Sequence, residues 1–401
     1  MNLQVEPPEK KKRKRKTKTK TSSPSPPSSY ASFSSLPDEI AVNCLARISR
    51  SYYPALSIVS KSFRSLVSST DLYAERSHLG STEKCVYVSV LDYSSLLPQW
   101  FRLWINPNRT LPNSMIKKKK KKKAIGQLFV PIPTTNLPYL SIAEPVVVGS
   151  ELYVIGGPLN HEPSSAVQVL DCRSDTWREA LSMNVAREYA WTCLYDGKIY
   201  VFGGVDEEDE PFGEVFDTKT QTWERLPDPG TKVRKCKVWK IREDEGNIYI
   251  TSRNNCTYAY DTKQCKWECE CDKDLVAKVS KLPSPEYVRV FSSNKNLRCS
   301  VYDVEDGDWK DVKGLESLKD KYRRNAGSKS HIAEVVKCGG KLFVMWEGVT
   351  RENSDNRKIW CAEIELQKRD GVEIWGNVEW VDVVLTVPQK CEILYCHAVL
   401  V

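Results

Sequence analysis

Histidine is scarce in this chain: four residues in 401 (His78, His161, His331 and His397), each in a separate segment. No HExxH, GxSxG, GxGxxG or P-loop pattern accompanies them, which removes the familiar zinc-hydrolase, serine-hydrolase and nucleotide-binding chemistries. No run approaches the roughly 18 consecutive apolar residues that a membrane span requires, and the first 30 residues contain no apolar core of a signal peptide. The expectation is an intracellular, soluble chain. Its 14 cysteines then remain thiols whose default role is that of small buried hydrophobes. Cys256, Cys265, Cys269 and Cys271 fall close together, but their x3 and x1 spacings do not match the paired CxxC of structural zinc sites. Cys269 and Cys271 straddle Glu270 after Trp267 and are expected to share one strand face. No metal and no cofactor are expected.

What is present is globular: 40% hydrophobic and 28% charged residues, in a length that suits two domains. The net charge of +8 is misleading. Residues 10–20 (KKKRKRKTKTK) carry nine positive charges and residues 117–123 seven, so the remainder is net −8. A basic nucleic-acid-binding surface is not supported. Residues 1–33 combine the basic run with TSSPSPPSSYASF, which cannot bury enough to order itself. Lys10–Lys16 has the form of a nuclear import signal, and Lys117–Lys123 must be a solvated loop because like charges repel.

From Ser34 to about residue 84 the pattern is helical. Ser35 is placed to cap a helix, Pro37 sits in its first turn, and Asp38 and Glu39 complement its positive end. Ile40, Cys44, Leu45 and Ile48 recur on one face. A second helix is expected from Pro54, presenting Ile58, Val59, Phe63, Leu66 and Val67, and a third from Asp71 with Leu72 and Tyr73. So small a bundle lacks a self-sufficient core and points to a partner that completes one face.

Beyond Cys85 the texture becomes β-rich and repetitive. Asp171-x5-Trp177, Asp217-x5-Trp223, Asp261-x5-Trp267 and Asp303-x5-Trp309 recur at steps of 46, 44 and 42 residues. Each follows a strand ending at the Asp, and LYVIGG (152–157) and IYVFGG (199–204) close earlier strands with a glycine pair. Four strands per period of 40–50 residues indicate a propeller, since a single blade cannot cover both of its faces. The tryptophans are read as wedges between blades. The aspartates are read as turn residues whose carboxylates accept backbone N–H groups. Blades fall at about 139–183, 187–228, 232–274, 275–315 and 330–387. A sixth is closed by residues 85–132 together with the C-terminal CEILYCHAVLV, which leaves no open edge.

These motifs resemble a known family. The segment LPDEI…VSKSFRSL looks like an F-box, and the GG…Asp-x5-Trp units look like kelch repeats, as in the plant F-box/kelch-repeat proteins. The resemblance implies an α+β chain: a basic tail (1–33), a small three-helix F-box (34–84) and an all-β kelch propeller of six blades (85–401). It further implies a non-catalytic substrate-recognition subunit of an SCF-type E3 ubiquitin ligase. The F-box would dock a Skp-family adaptor and, through it, cullin and RING subunits, while the propeller holds a target protein. Carried onto this sequence, the adaptor-facing residues would be Leu36, Pro37, Ile40, Leu45, Ile48, Leu56, Val59, Phe63, Leu66 and Leu72. Redox chemistry of the kind some kelch propellers perform would need a Tyr/Cys/His constellation that has no counterpart here. In a propeller the loops joining second to third strands share a rim with the links between blades. On that rim Asp206, Glu207, Glu208, Asp209 and Glu210, with Arg187 and Trp191 nearby, form the expected target site. The rival reading is a nuclear scaffold that binds partners through the propeller without recruiting a ligase.

Overall fold

A computed structural model of the chain describes residues 36–105, 127–134, 143–157, 162–205, 210–235, 238–252, 256–268, 288–293, 296–303, 305–325, 334–348 and 356–401. The basic tail, the lysine run 117–123, Cys269 and Cys271 lie outside these residues. The chain forms two units, residues 1–41 and 42–401.

In the first unit the carbonyl of Pro37 accepts the N–H groups of Ile40 and Ala41, both at 3.0 Å. This turn opens α1 (Asp38–Ala46), which carries Asp38 and Glu39 in its first turn. The single helix expected from Pro54 to Val67 is in fact two, α2 (Tyr53–Ser57) and α3 (Lys61–Val67). The break has a local cause. Ser60 is extended, and its hydroxyl accepts the Phe63 N–H at 3.1 Å, so it caps a new helix rather than continuing the old one. Ser69 likewise caps α4 (Thr70–His78). Leu45, Ala46, Tyr53, Val67, Leu72 and Tyr73 are buried. The buried Arg76 guanidinium donates to the carbonyls of Ala46, Ile48 and Ser81 and to the Tyr53 hydroxyl.

Most of the rest of the second unit is built of antiparallel meanders, four of them four-stranded sheets and two joined in one larger sheet. Blade 1 covers residues 146–180, blade 2 residues 191–225 and blade 3 residues 238–268. Blade 4 has three described strands (residues 288–313), and blade 5 spans residues 334–388. Blade 6 is the expected composite, in which Cys391–Leu400 pairs antiparallel with Lys84–Asp92. Blades 4 and 5 share one seven-stranded sheet, because Val312 and Lys313 pair in parallel with Ile374 and Trp375 of the long strand Glu373–Pro388.

The Asp-x5-Trp repeat works as a turn and a wedge. Asp171, Asp217, Asp261 and Asp303 each accept the backbone N–H two residues on, at 2.8–3.1 Å. Trp223 donates through Nε1 to Leu181 O (2.8 Å), and Trp267 does the same to Pro227 O (2.9 Å). Both acceptors belong to the chain leaving the preceding blade, so each indole ties its own blade to the one before. Gly204, with φ of +72°, has no room for a side chain: a Cβ there would lie 2.6 Å from Glu188 O.

Apolar clusters fill the seams between blades 6 and 1, 1 and 2, 2 and 3, 4 and 5, and 5 and 6. Among the described residues no such cluster fills the seam between blades 3 and 4.

Candidate functional site

The helical segment presents two kinds of apolar residue. Ile58 is 78% exposed, Val59 66% and, in the first unit, Ile40 50%. Pro37 is also exposed, and Leu36, Ile48, Leu56, Phe63 and Leu66 are partly buried. Leu45 and Leu72 are not available to a partner: at 1% and 0% exposure they are core of the bundle. Helical periodicity places them on an apolar face, but it does not say which part of that face turns inward. Ile58 is expected on the second helix; at the α2–α3 break it is the most exposed large hydrophobic side chain of the segment.

The other side of the segment is fastened to the ring. Arg50 is buried and donates through Nη2 to Cys172 O (3.1 Å) and Arg173 O (2.9 Å), both in the turn between the third and fourth strands of blade 1. Tyr87 of blade 6 donates to the same Cys172 carbonyl at 2.7 Å. Trp104 Nε1 reaches Ser51 O at 3.0 Å, and Tyr73 packs into the cluster shared by blades 6 and 1. Glu83 and Val401 exchange both backbone hydrogen bonds at 2.8 Å. In a meander the turns between strands 1 and 2 and between strands 3 and 4 lie on one rim. These contacts therefore attach the segment from Arg50 to Glu83 to that rim, opposite the one formed by the turns between second and third strands.

Of the expected acidic loop, Asp206, Glu207, Glu208 and Asp209 lie outside the described residues. Glu210 is half-buried, and its carbonyl accepts from Arg234 (2.9 Å). Arg187 is not a surface contact. It is fully buried and paired with Glu214 at 3.0 Å, and it also donates to the carbonyls of Gly203, Pro211 and Phe212. Asn184 occupies the other Glu214 oxygen (2.7 Å). The pair is thus fully hydrogen-bonded, the condition under which buried charges are tolerated.

Trp191 belongs to a ring of residues that sequence reasoning did not assemble. The tetrads IYVF (199–202), IYIT (248–251), LFVM (342–345) and VYVS (86–89) occupy equivalent second strands. Opposite their fourth positions, on the innermost strands, stand Trp191, Lys240, Glu334 and Tyr395. Glu144 stands two residues before the inner strand of blade 1, and Arg242 lies two residues further along that of blade 3 than Lys240. Their charges sense one another across the channel. Burial, then repulsion from Glu144, pushes the Glu334 carboxyl up to about 7. Glu144 keeps an exposed surface, and the protein packed around it raises its carboxyl only in part against the pull of Arg242. Burial raises the Tyr395 phenol to about 12, with Glu144, Tyr189 and Glu334 adding to the shift. The signal that could have found this ring was the tetrad register itself, which marks the inner-strand partners.

No group of His, Cys, Asp or Glu side chains among the described residues could hold a metal ion. A cleft at the outer edge of blades 4 and 5 contains Arg298, Asp311 and Lys313, whose charges are already paired, Lys313 with Glu373.

Two domain families match this architecture: the F-box domain over residues 33–75, and the FKB95 kelch-repeats domain over residues 100–385. The chain is 53% identical to F-box/kelch-repeat protein At4g19870 and 54% identical to F-box/kelch-repeat protein At4g19865, both of Arabidopsis thaliana. In both cases the whole of each chain is covered. It is 40% identical to the putative F-box/kelch-repeat protein At4g39756 of the same plant, over 99% of each chain. With a helical F-box leading into kelch blades, and with relatives alike from end to end, the chain belongs to the F-box/kelch-repeat family and is a protein of the substrate-adaptor type.

Proposed function

We propose that the chain is the target-selecting subunit of an SCF-type ubiquitin ligase. The F-box, taken as residues 34–84, docks a Skp-family adaptor and through it cullin and RING subunits. The propeller, residues 85–401, holds the target protein. The observation that carries this reading is the two-sidedness of the helical segment. Ile58 and Val59 stand in solvent, while Arg50, Trp104 and Tyr73 fasten the same segment to the ring. Exposed apolar side chains on a small, firmly held bundle fit burial against another subunit.

The chain supplies no bond chemistry. A target held on one rim and a ligase recruited on the other share a fixed geometry, which replaces a bimolecular encounter by a high local concentration. Within the adaptor set Leu36, Pro37, Ile40, Ile48, Leu56, Val59, Phe63 and Leu66 remain, joined by Ile58. Lys10–Lys16 supports a nuclear site of action.

A trapping experiment tests the function. Full-length chain and its Ile58→Asp/Val59→Asp variant are expressed in parallel with the proteasome active. The expected result is a set of proteins that accumulates on the variant and is ubiquitinated and depleted by the wild type. Equal retention of the same proteins by both, with no ubiquitin conjugated, would overturn the proposal in favour of a scaffold without a ligase.

A further inference from the structure

We infer that the channel mouth carries an oxyanion-binding site on blades 3 and 4, built by Lys240, Arg242 and Arg289, which receives a carboxylate or phosphate group of the target. The inference deepens the target-binding reading, because it names the chemistry that this mouth recognises.

Lys240 and Arg242 are two residues apart on one strand, so both point to the same face of blade 3. Their neighbour Ile241 packs into the cluster between blades 2 and 3. The two cations therefore face blade 4. From blade 4, Val288 and Val290 turn toward blade 5, which directs the intervening Arg289 back toward blade 3. Its guanidinium carbon sits 3.8 Å from the centre of the Trp309 ring. This stacking covers the face of the guanidinium and leaves its N–H edges to meet a ligand. Three cations thus converge on the one seam that no apolar cluster of described residues fills.

Their compensation is partial: Glu144 attracts Arg242 without forming an ion pair, and one Arg242 Nη donates to the neighbouring Ile241 carbonyl at 2.7 Å. Among the described residues none of the three forms an ion pair, and Arg242 Nε is buried with no hydrogen-bond partner. Burial lowers the pKa of each, and mutual repulsion adds to the effect at Lys240 and Arg242. Among the described residues the acids across the mouth, Glu144 and Glu334, form no ion pair with any of the three, and the Glu334 carboxyl is itself pushed up to about 7. Half-buried cations that face one another across a seam, one of them with a buried N–H that has no partner among the described residues, are what an incoming oxyanion satisfies, and paired guanidinium groups match the geometry of carboxylate and phosphate oxygens.

The test is a titration of the full-length chain, without any adaptor, by inorganic phosphate and separately by acetate. Ionic strength is held constant with chloride, and binding is followed by calorimetry and thermal melting. The expected result is saturable binding of at least one anion, weakened tenfold or more in Lys240→Gln/Arg242→Gln and unchanged in Arg298→Gln, an exposed arginine already paired with Asp311. If the double variant does not fold, Lys240→Gln alone is expected to weaken binding at least threefold. Phosphate far stronger than acetate assigns the site to a phosphorylated target; comparable binding assigns it to an acidic one. The proposal is overturned if neither anion binds the wild type saturably, or if the variants bind as the wild type does. Because no adaptor is present, either negative result leaves ligase recruitment untouched.

Discussion

Arg187 shows what one buried charge does in this ring. Its guanidinium holds Glu214 and three carbonyls of the blade 2 loop, so it fixes the loop that leads to the mouth. Removing it strands a buried carboxylate, and breaking such a pair costs about 3–5 kcal/mol. Arg187→Met is therefore expected to lower unfolding stability by that amount in urea denaturation; a change under about 1 kcal/mol would contradict the buried pairing. Nothing local in the sequence reveals this role, because the three carbonyls are contributed from 16–25 residues away. Glu334 offers a second residue-level test, through pH. Its carboxyl is raised from 4.5 to about 7 in the fold. Between those values the folded chain binds more protons than the unfolded one, so this group's contribution to stability falls as pH rises. Glu334→Gln removes that dependence. The variant is expected to be more stable than wild type at pH 8, by roughly 1–2 kcal/mol, and equal to it near pH 4. Equal stability at both pH values would contradict the burial of this side chain among like charges.

At the scale of elements, the strands were legible and the helices only partly so. The blade 2 unit was readable because its Asp196-Gly197 turn, with both φ positive, stands between two apolar runs. The Asp-x5-Trp turns were readable because spacing alone places an acceptor beside its N–H donors. Periodicity failed where two short helices look like one: the Ser60 cap outweighs the apolar repeat that runs through it. It failed again in dividing the apolar face, and that division is open to measurement. Leu72→Ala, at a fully buried site, is expected to cost about 2–5 kcal/mol, whereas Val59→Ala should change stability by less than about 0.5 kcal/mol. Similar losses for both would mean that Val59 is packed rather than exposed.

For the whole molecule the significant feature is that the helices and the ring are joined by polar anchors at defined points. Arg50 supplies the deepest of these, through the Cys172 and Arg173 carbonyls. Arg50→Ala leaves both acceptors without that donor, and hydrogen exchange over residues 53–78 is expected to accelerate while blades 2 and 3 keep their protection. Unchanged exchange would show that the joint rests on other contacts. The ring's architecture could be read from its repeat period and from the way its two ends complete one blade. The joint could not, because Arg50 and Cys172 are 122 positions apart and no repeat connects them. The charged ring at the mouth was hidden for a similar reason: its members come from different blades and meet only when the channel closes.

Ligase recruitment requires that the outward face of the helical segment be a docking surface for a Skp-family adaptor. The most direct measurement is calorimetric titration of purified adaptor into the full-length chain, with wild type compared against Ile58→Asp/Val59→Asp. The predicted result is one-to-one binding by the wild type, weakened at least a hundredfold in the variant, which is about 2.7 kcal/mol, with the melting temperature unchanged. Absence of binding by the wild type, or equal affinity in the two proteins, would contradict it.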